Sequence, residues 1–113
     1  MSPEECVKEF PAAITVCNVQ GIILDMNEKA ESNLQADGGR ELVGKNILDC
    51  HPEPERSKLA GMLETSIKNV YTMKKNGVKK LIFQSPWFEN GSYAGFVEIA
   101  FEIPLVIPHF IRS

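Results

Sequence analysis

Two adjacent residues, Cys50 and His51, bring metal-ligating, acid–base and nucleophilic side chains together within Leu48-Asp49-Cys50-His51-Pro52. An imidazole nitrogen can bind a transition metal or carry a proton near neutral pH, and a cysteine thiolate can act as ligand or redox nucleophile. Neighbouring side chains point apart, however, which disfavours a joint Cys50–His51 metal centre, and no metal site is expected. A lone histidine ahead of a helix is more often hydrogen-bonded to backbone, and a lone cysteine more often fills a core. Those ordinary roles are the preferred ones here.

Other chemistry-bearing groups are sparser. Asp25, Glu28 and Glu31 cluster in sequence but read as a capped, solvated helix start. No Ser/His/Asp or Cys/His arrangement with supporting glycines is visible, and Gly38-Gly39 lacks the flanking pattern of a nucleotide-binding loop. The expectation is a protein that is not an enzyme. Net charge is −3, and the densest basic run, Lys74-Lys75 with Lys79-Lys80, brackets a turn instead of forming a basic face, so nucleic acid is not an expected partner. Cys6, Cys17 and Cys50 are odd in number and widely spaced, which suits reduced thiols in a cytoplasmic setting. No stretch approaches the roughly 20 apolar residues that cross a bilayer, so no membrane association is expected. Asn90-Gly91-Ser92 matches a glycosylation sequon but reads as turn chemistry.

The elements that position these groups follow from local signals. At 113 residues the chain forms one domain. Ser2-Pro3-Glu4-Glu5 is a capping box that starts a helix reaching about Phe10, where Pro11 ends it. Residues 12–19 and 22–24 suit a hairpin turning at Gln20-Gly21. Asp25 or Asn27 caps a polar helix running to about Leu34. Short helical turns are expected from Arg40 to Gly44 and over Ile47–Cys50. The helix with the clearest apolar stripe follows, from about Pro54 to Lys68, with Leu59, Met62, Leu63, Ser66, Ile67 and Val70 on one side. The last third is a three-stranded meander whose turns are Asn76-Gly77 and Asn90-Gly91, because type I′ turns need two residues with positive φ.

This order resembles the PAS domain family over roughly residues 10–103. The resemblance rests on Gly21 in the hairpin turn, Asn27 opening a helix, Gly44-Lys45 before another short helix, the longer connecting helix, and the terminal meander. Leu48-Asp49-Cys50-His51-Pro52 is similar to the corresponding stretch of a bacterial PAS subgroup. The resemblance implies an α+β fold with one five-stranded antiparallel sheet in the order 2-1-5-4-3 and helices packed on one face. The division is then an N-terminal helix over 1–10, the PAS domain over 11–103, and an apolar tail over 104–113. It also implies a sensory or interaction module, with a small-molecule ligand between sheet and helices and a protein partner on the outer face. Among cofactors, flavin photochemistry is not expected, since the family's reactive Asn-Cys-Arg-Phe-Leu-Gln string is absent. Haem would need a histidine from the connecting helix, residues 54–70 contain none, and His51 is the one candidate cofactor-binding residue.

Two-residue turns set a register for the meander. It places Tyr71, Met73, Ile82, Gln84, Val97 and Ile99 on one face with Phe101, and with Met62 and Ile67 from the helix these are the expected ligand-pocket residues. Leu81, Phe83, Trp87, Phe96 and Ala100 fall on the other face with Thr72, Glu98 and Glu102. Pro86 warns of a bulge that would swap residues 87 and 88. Both faces are too apolar to stand bare, so the outer one asks for a cover. The candidates are Cys6, Val7 and Phe10 of the first helix and the tail from Pro104 to Ile111. Pro104 and Pro108 forbid a continuous signalling helix after Ile103. The expectation is a stand-alone sensor, a homodimer through its outer sheet face, acting on a separate signalling protein.

Overall fold

The computed structural model describes residues 2–113. Helix α1 (Pro3–Lys8) opens at Ser2, whose hydroxyl accepts from the Glu5 N–H at 3.3 Å. Strands β1 (Ala13–Asn18) and β2 (Ile23–Met26) form the first hairpin, and α2 (Glu28–Asn33) is capped by Asn27, which accepts from the Ala30 N–H. Three 3₁₀ turns follow, Gln35–Asp37, Gly39–Leu42 and Ile47–Cys50, then α3 (Glu55–Thr65). Strands β3 (Asn69–Lys75), β4 (Val78–Glu89) and β5 (Ser92–Ile103) make the meander. The five strands form one antiparallel sheet in the order β2-β1-β5-β4-β3, as the sequence resemblance implies.

Both meander turns have the expected backbone. Asn76 and Gly77 have φ of 53° and 79°, and Asn90 and Gly91 have 52° and 82°, which fits type I′ geometry and its match to strand twist. The core lies between the sheet and α2, α3 and the 3₁₀ turns. Its centre is Cys17, Ile23 and Phe96, closed over by Leu59, Met62 and Leu63 of α3. Cys17 is fully buried, and burial pushes its thiol above the ordinary cysteine value, so it packs as a small apolar side chain.

Two expectations are corrected. Helix α3 stops at Thr65, not near Lys68, because Ser66 turns left-handed (φ 50°, ψ 40°) and its N–H bonds the Met62 carbonyl at 2.8 Å. The Thr65 hydroxyl also donates to the Gly61 carbonyl, the local competition that makes Ser and Thr weak helix continuers. Ile67 therefore lies beyond the helix and is 60% exposed.

The second correction concerns the faces of β5. Phe88 pairs with Tyr93, but Trp87 pairs with Gly95, so Ala94 is an extra residue on β5. From Gly95 onward every side chain changes face relative to a regular hairpin. Ile82 thus pairs with Ala100 and not with Ile99, while Phe83 pairs with Ile99 and Ser85 with Val97. Val97, Ile99 and Phe101 belong to the outer face, whereas Phe96, Glu98 and Ala100 face the helices. The cause is local. Gly95 has φ 145°, and a Cβ there would stand 1.9 Å from the Cys17 carbonyl oxygen, so β1 and β5 approach at a point that only glycine permits. Trp87 locks the same junction by donating its indole N–H to the Cys17 carbonyl at 3.0 Å. The bulge expected near Pro86 falls between Trp87 and Phe88, with its extra residue, Ala94, on β5 and not on β4. Strand β3 begins at Asn69 opposite Gln84 and offers no residue opposite Pro86, so the missing proline N–H costs no ladder bond on that edge.

Candidate functional site

The inner face of β3, β4 and β5 carries a row of polar side chains beneath α3. Asn69 Nδ2 donates to Gln84 Oε1 at 3.0 Å, and Gln84 Nε2 donates to Glu98 Oε1 at 2.8 Å. His51 Nε2 lies 4.0 Å from the same Glu98 oxygen, while His51 Nδ1 is 2.9 Å from the Ile47 carbonyl. Gln84 is buried at 5% exposure, and every buried side-chain polar atom among the described residues has a partner. Four elements contribute to this row: β3, β4, β5 and the 3₁₀ turn that ends at Cys50. That turn is set by Asn46, whose side chain accepts from the Leu48 N–H at 2.9 Å, and it delivers His51 to the edge of the sheet.

Above this row is a cleft of about 20 Å³. Tyr71, Gln84 and Asn69 line it from the sheet, Leu59, Met62, Glu55 and Lys58 from α3, and His51 from the side. Burial pushes the Tyr71 phenol above its ordinary value, and the carboxylates of Glu98 and Glu55 add to the effect, so the phenol keeps its proton and can donate or accept. The cleft presents three neutral polar side chains (Asn69, Tyr71 and Gln84), one imidazole, the Glu55 carboxylate and the Lys58 ammonium around the apolar Leu59 and Met62. Such a set suits hydrogen bonding to a small polar molecule, and a volume of this size accepts a single water.

Of the residues expected at the pocket, the fold gathers Tyr71, Gln84, Met62 and His51 around the cleft, and Ile82 is buried on the same face. Met73 shares that face but lies past the end of α3 and is 41% exposed. Ile67, Val97 and Ile99 are elsewhere for the reasons given above. Asn69 and Glu98 complete the row without having been singled out by the sequence pattern. Gly95 was the available signal for Glu98, because a glycine inside a strand often marks a bulge.

Haem does not fit this site as it stands. Both nitrogens of His51 face protein partners, and the cleft has no room for a porphyrin. Cys50 offers no better ligand. Burial pushes its thiol upward, and the negative charges of Asp37, Asp49 and Glu98 add to the effect against the single opposing cation Lys45. Among the described residues, no group of three or more His, Cys, Asp or Glu side chains is arranged to hold a metal ion.

A larger concavity, of about 800 Å³, lies on the opposite face of the sheet. Its floor is Ile14 and Val16 of β1, and α1 walls it with Pro3, Val7 and Lys8. Asn27 ties this wall down. Its amide donates to the Val7 and Ala12 carbonyls at 2.9 and 2.8 Å, and its oxygen accepts from the Ile14 and Ala30 N–H groups at 2.9 and 3.1 Å. Arg40 closes the far rim, 3.1 Å from Asp25, 3.0 Å from Glu31 and 2.8 Å from the Met26 carbonyl.

Comparison with known proteins bears on the fold. A family model described as PAS fold matches residues 4–72, more than half of the chain. No curated protein matches the sequence. Among solved structures, a sensory box sensor histidine kinase from Vibrio cholerae superposes with a TM-score of 0.67 at 17% identity, covering 90% of each chain. The PAS domain of BvgS from Bordetella pertussis gives 0.65 at 16% identity, covering 88% of this chain and 82% of that one. The Aer2 receptor from Vibrio cholerae, described as a dual PAS-heme oxygen sensor, gives 0.60 at 18% identity, covering 82% and 95%. Identities this low establish shared architecture alone.

Proposed function

The chain belongs to the PAS fold family, and on that premise we propose that it is a sensory module whose inner cleft binds a small polar molecule and whose outer face meets a protein partner. The observation that carries the ligand reading is the hydrogen-bonded row Asn69–Gln84–Glu98 with His51 at its end. A structural core rarely keeps four polar side chains in one line beneath a helix, because each must be desolvated and paired. Here the row borders the cleft, so a ligand entering under α3 exchanges hydrogen bonds with it and shifts the helix. The closed cleft of about 20 Å³ holds no more than a water, so the occupant is a small polar metabolite that enters by displacing α3 and meets Asn69, Tyr71, Gln84 and His51 with the Glu55–Lys58 pair of charges at the rim.

The output is a contact, not a reaction. A homodimer through the outer face, acting on a separate signalling protein, accounts for Leu81, Phe83, Val97, Ile99 and Phe101, which are only half-buried there. No described helix is long and apolar enough to cross a membrane, and the three free cysteines suit a reducing cytoplasm.

The test is amide NMR of the whole chain against a library of small polar metabolites. Binding should move resonances of α3 and of β3 to β5, and Gln84→Leu should abolish it. A ligand that binds Gln84→Leu unchanged, or whose shifts map to β1 and β2, would end the cleft reading. Reconstitution with haem gives an independent check: a Soret band that disappears in His51→Ala would replace the polar-metabolite reading with a haem one.

A further inference from the structure

The outer groove and the C-terminal tail carry complementary chemistry, and we infer that the tail of one copy docks in the α1–β1 groove of a second copy. The inference rests on the dimeric reading above and gives it a specific contact. The groove floor is apolar, formed by Ile14 and Val16, and its rim is acidic. Four carboxylates, Glu4, Asp25, Glu28 and Glu31, stand against two cations, Lys8 and Arg40. Arg40 is engaged by Asp25 and Glu31, which leaves Lys8 as the cation opposing Glu4 and Glu28 among the described lining residues. An apolar floor under a net negative rim selects an occupant with large apolar side chains and a cation.

Residues 104–113 have that composition: five large apolar side chains, one arginine and no acid. Val106, Phe110 and Ile111 are 84%, 74% and 89% exposed, well beyond what a folded domain ordinarily leaves bare in one run. Pro104 and Pro108 keep the segment extended, which lowers the entropy lost when it docks. The Arg112 guanidinium lies 6.0 Å from the Phe110 ring centroid, so cation and aromatic ring are presented on the same side of the tail. Phe110 laid on Ile14 and Val16 brings Arg112 toward the Glu4 and Glu28 rim. The tail stands outside its own groove in this structure, and reciprocal exchange between two copies gives a closed two-fold dimer with two equal contacts.

Sedimentation equilibrium of the full chain over a dilution series tests this. The doubly substituted chain F110S/I111S keeps its fold, since both side chains are exposed, and its dimer Kd should rise at least ~100-fold. Glu28→Lys and Arg112→Glu should each weaken the dimer about tenfold, and the two together should restore it. A wild-type dimer indifferent to the tail substitutions overturns the docking and leaves a sheet-face dimer standing. A wild-type chain that is monomeric at every concentration overturns the dimeric reading and the docking together. Protected tail amides in such a monomer would assign the tail to its own groove.

Discussion

The two faces of the sheet solve different problems. The inner face is closed: Cys17, Ile23, Phe96 and α3 fill it, its polar row is fully paired, and the remaining space is about 20 Å³. The outer face is open, with a groove of about 800 Å³ and a margin of half-buried and exposed apolar side chains. One face therefore carries the packed core and its paired polar row, and the other leaves apolar surface uncovered. Substitutions on the inner face should appear in unfolding experiments, and those on the outer face in association experiments.

The largest test of that contrast falls on the seam between the faces. Gly95→Ala places a methyl group against the Cys17 carbonyl at a positive φ, and should cost about 3–5 kcal/mol in urea unfolding. A near-neutral result would mean that β1 and β5 do not meet as described. Asn27→Ala comes next, because it removes four hydrogen bonds that join α1, β1 and α2. A loss of about 2–4 kcal/mol is expected, together with faster amide exchange in α1, and unchanged exchange there would detach the groove wall from Asn27. A matched pair then compares the faces directly. Ile82→Val, on the inner face at 5% exposure, should cost about 0.5–1.5 kcal/mol, while Val70→Thr, on the outer face at 48%, should stay within about 0.5 kcal/mol. Equal costs would dissolve the contrast.

The smallest effect concerns a group on neither face. Glu53 has its carboxyl held below the ordinary glutamate value, chiefly because the Ser57 hydroxyl donates to it at 2.8 Å and secondarily through the Ser57 N–H. A depressed folded-state pKa gives a contribution that is present above the unfolded value of about 4.3 and is lost as pH falls through the folded one. Ser57→Ala should move the NMR titration midpoint of Glu53 upward. A midpoint that stays put would assign the shift to another cause.

Much of the scaffold was legible because it depends on local chemistry. Asn76-Gly77 and Asn90-Gly91 could hardly be anything but hairpin turns, Asn27 reads as a cap from its type and place, and Ser2-Pro3-Glu4-Glu5 announces a helix. The strand order came through the family resemblance, which rests on the sequence of elements and not on any one of them. The site was less legible because facing depends on counting. One extra residue at Ala94 moves Val97 and Ile99 to the outer face and brings Glu98 to the inner one, and the close approach that forces it involves Cys17, nearly 80 positions earlier. The end of α3 is hidden from the sequence for a related reason. Apolar spacing continued through Ile67, but the backbone at Ser66 had already turned.

Trp87 makes the molecule its own instrument. It is the sole tryptophan, and its indole N–H is held by the carbonyl of Cys17 at the seam where β5 meets β1. Emission colour and lifetime of an indole respond to whether that hydrogen bond is intact and how wet the ring is. Opening of this seam, whether by heat, by a ligand under α3 or by a second copy arriving on the outer face, therefore writes an optical signal without any added label.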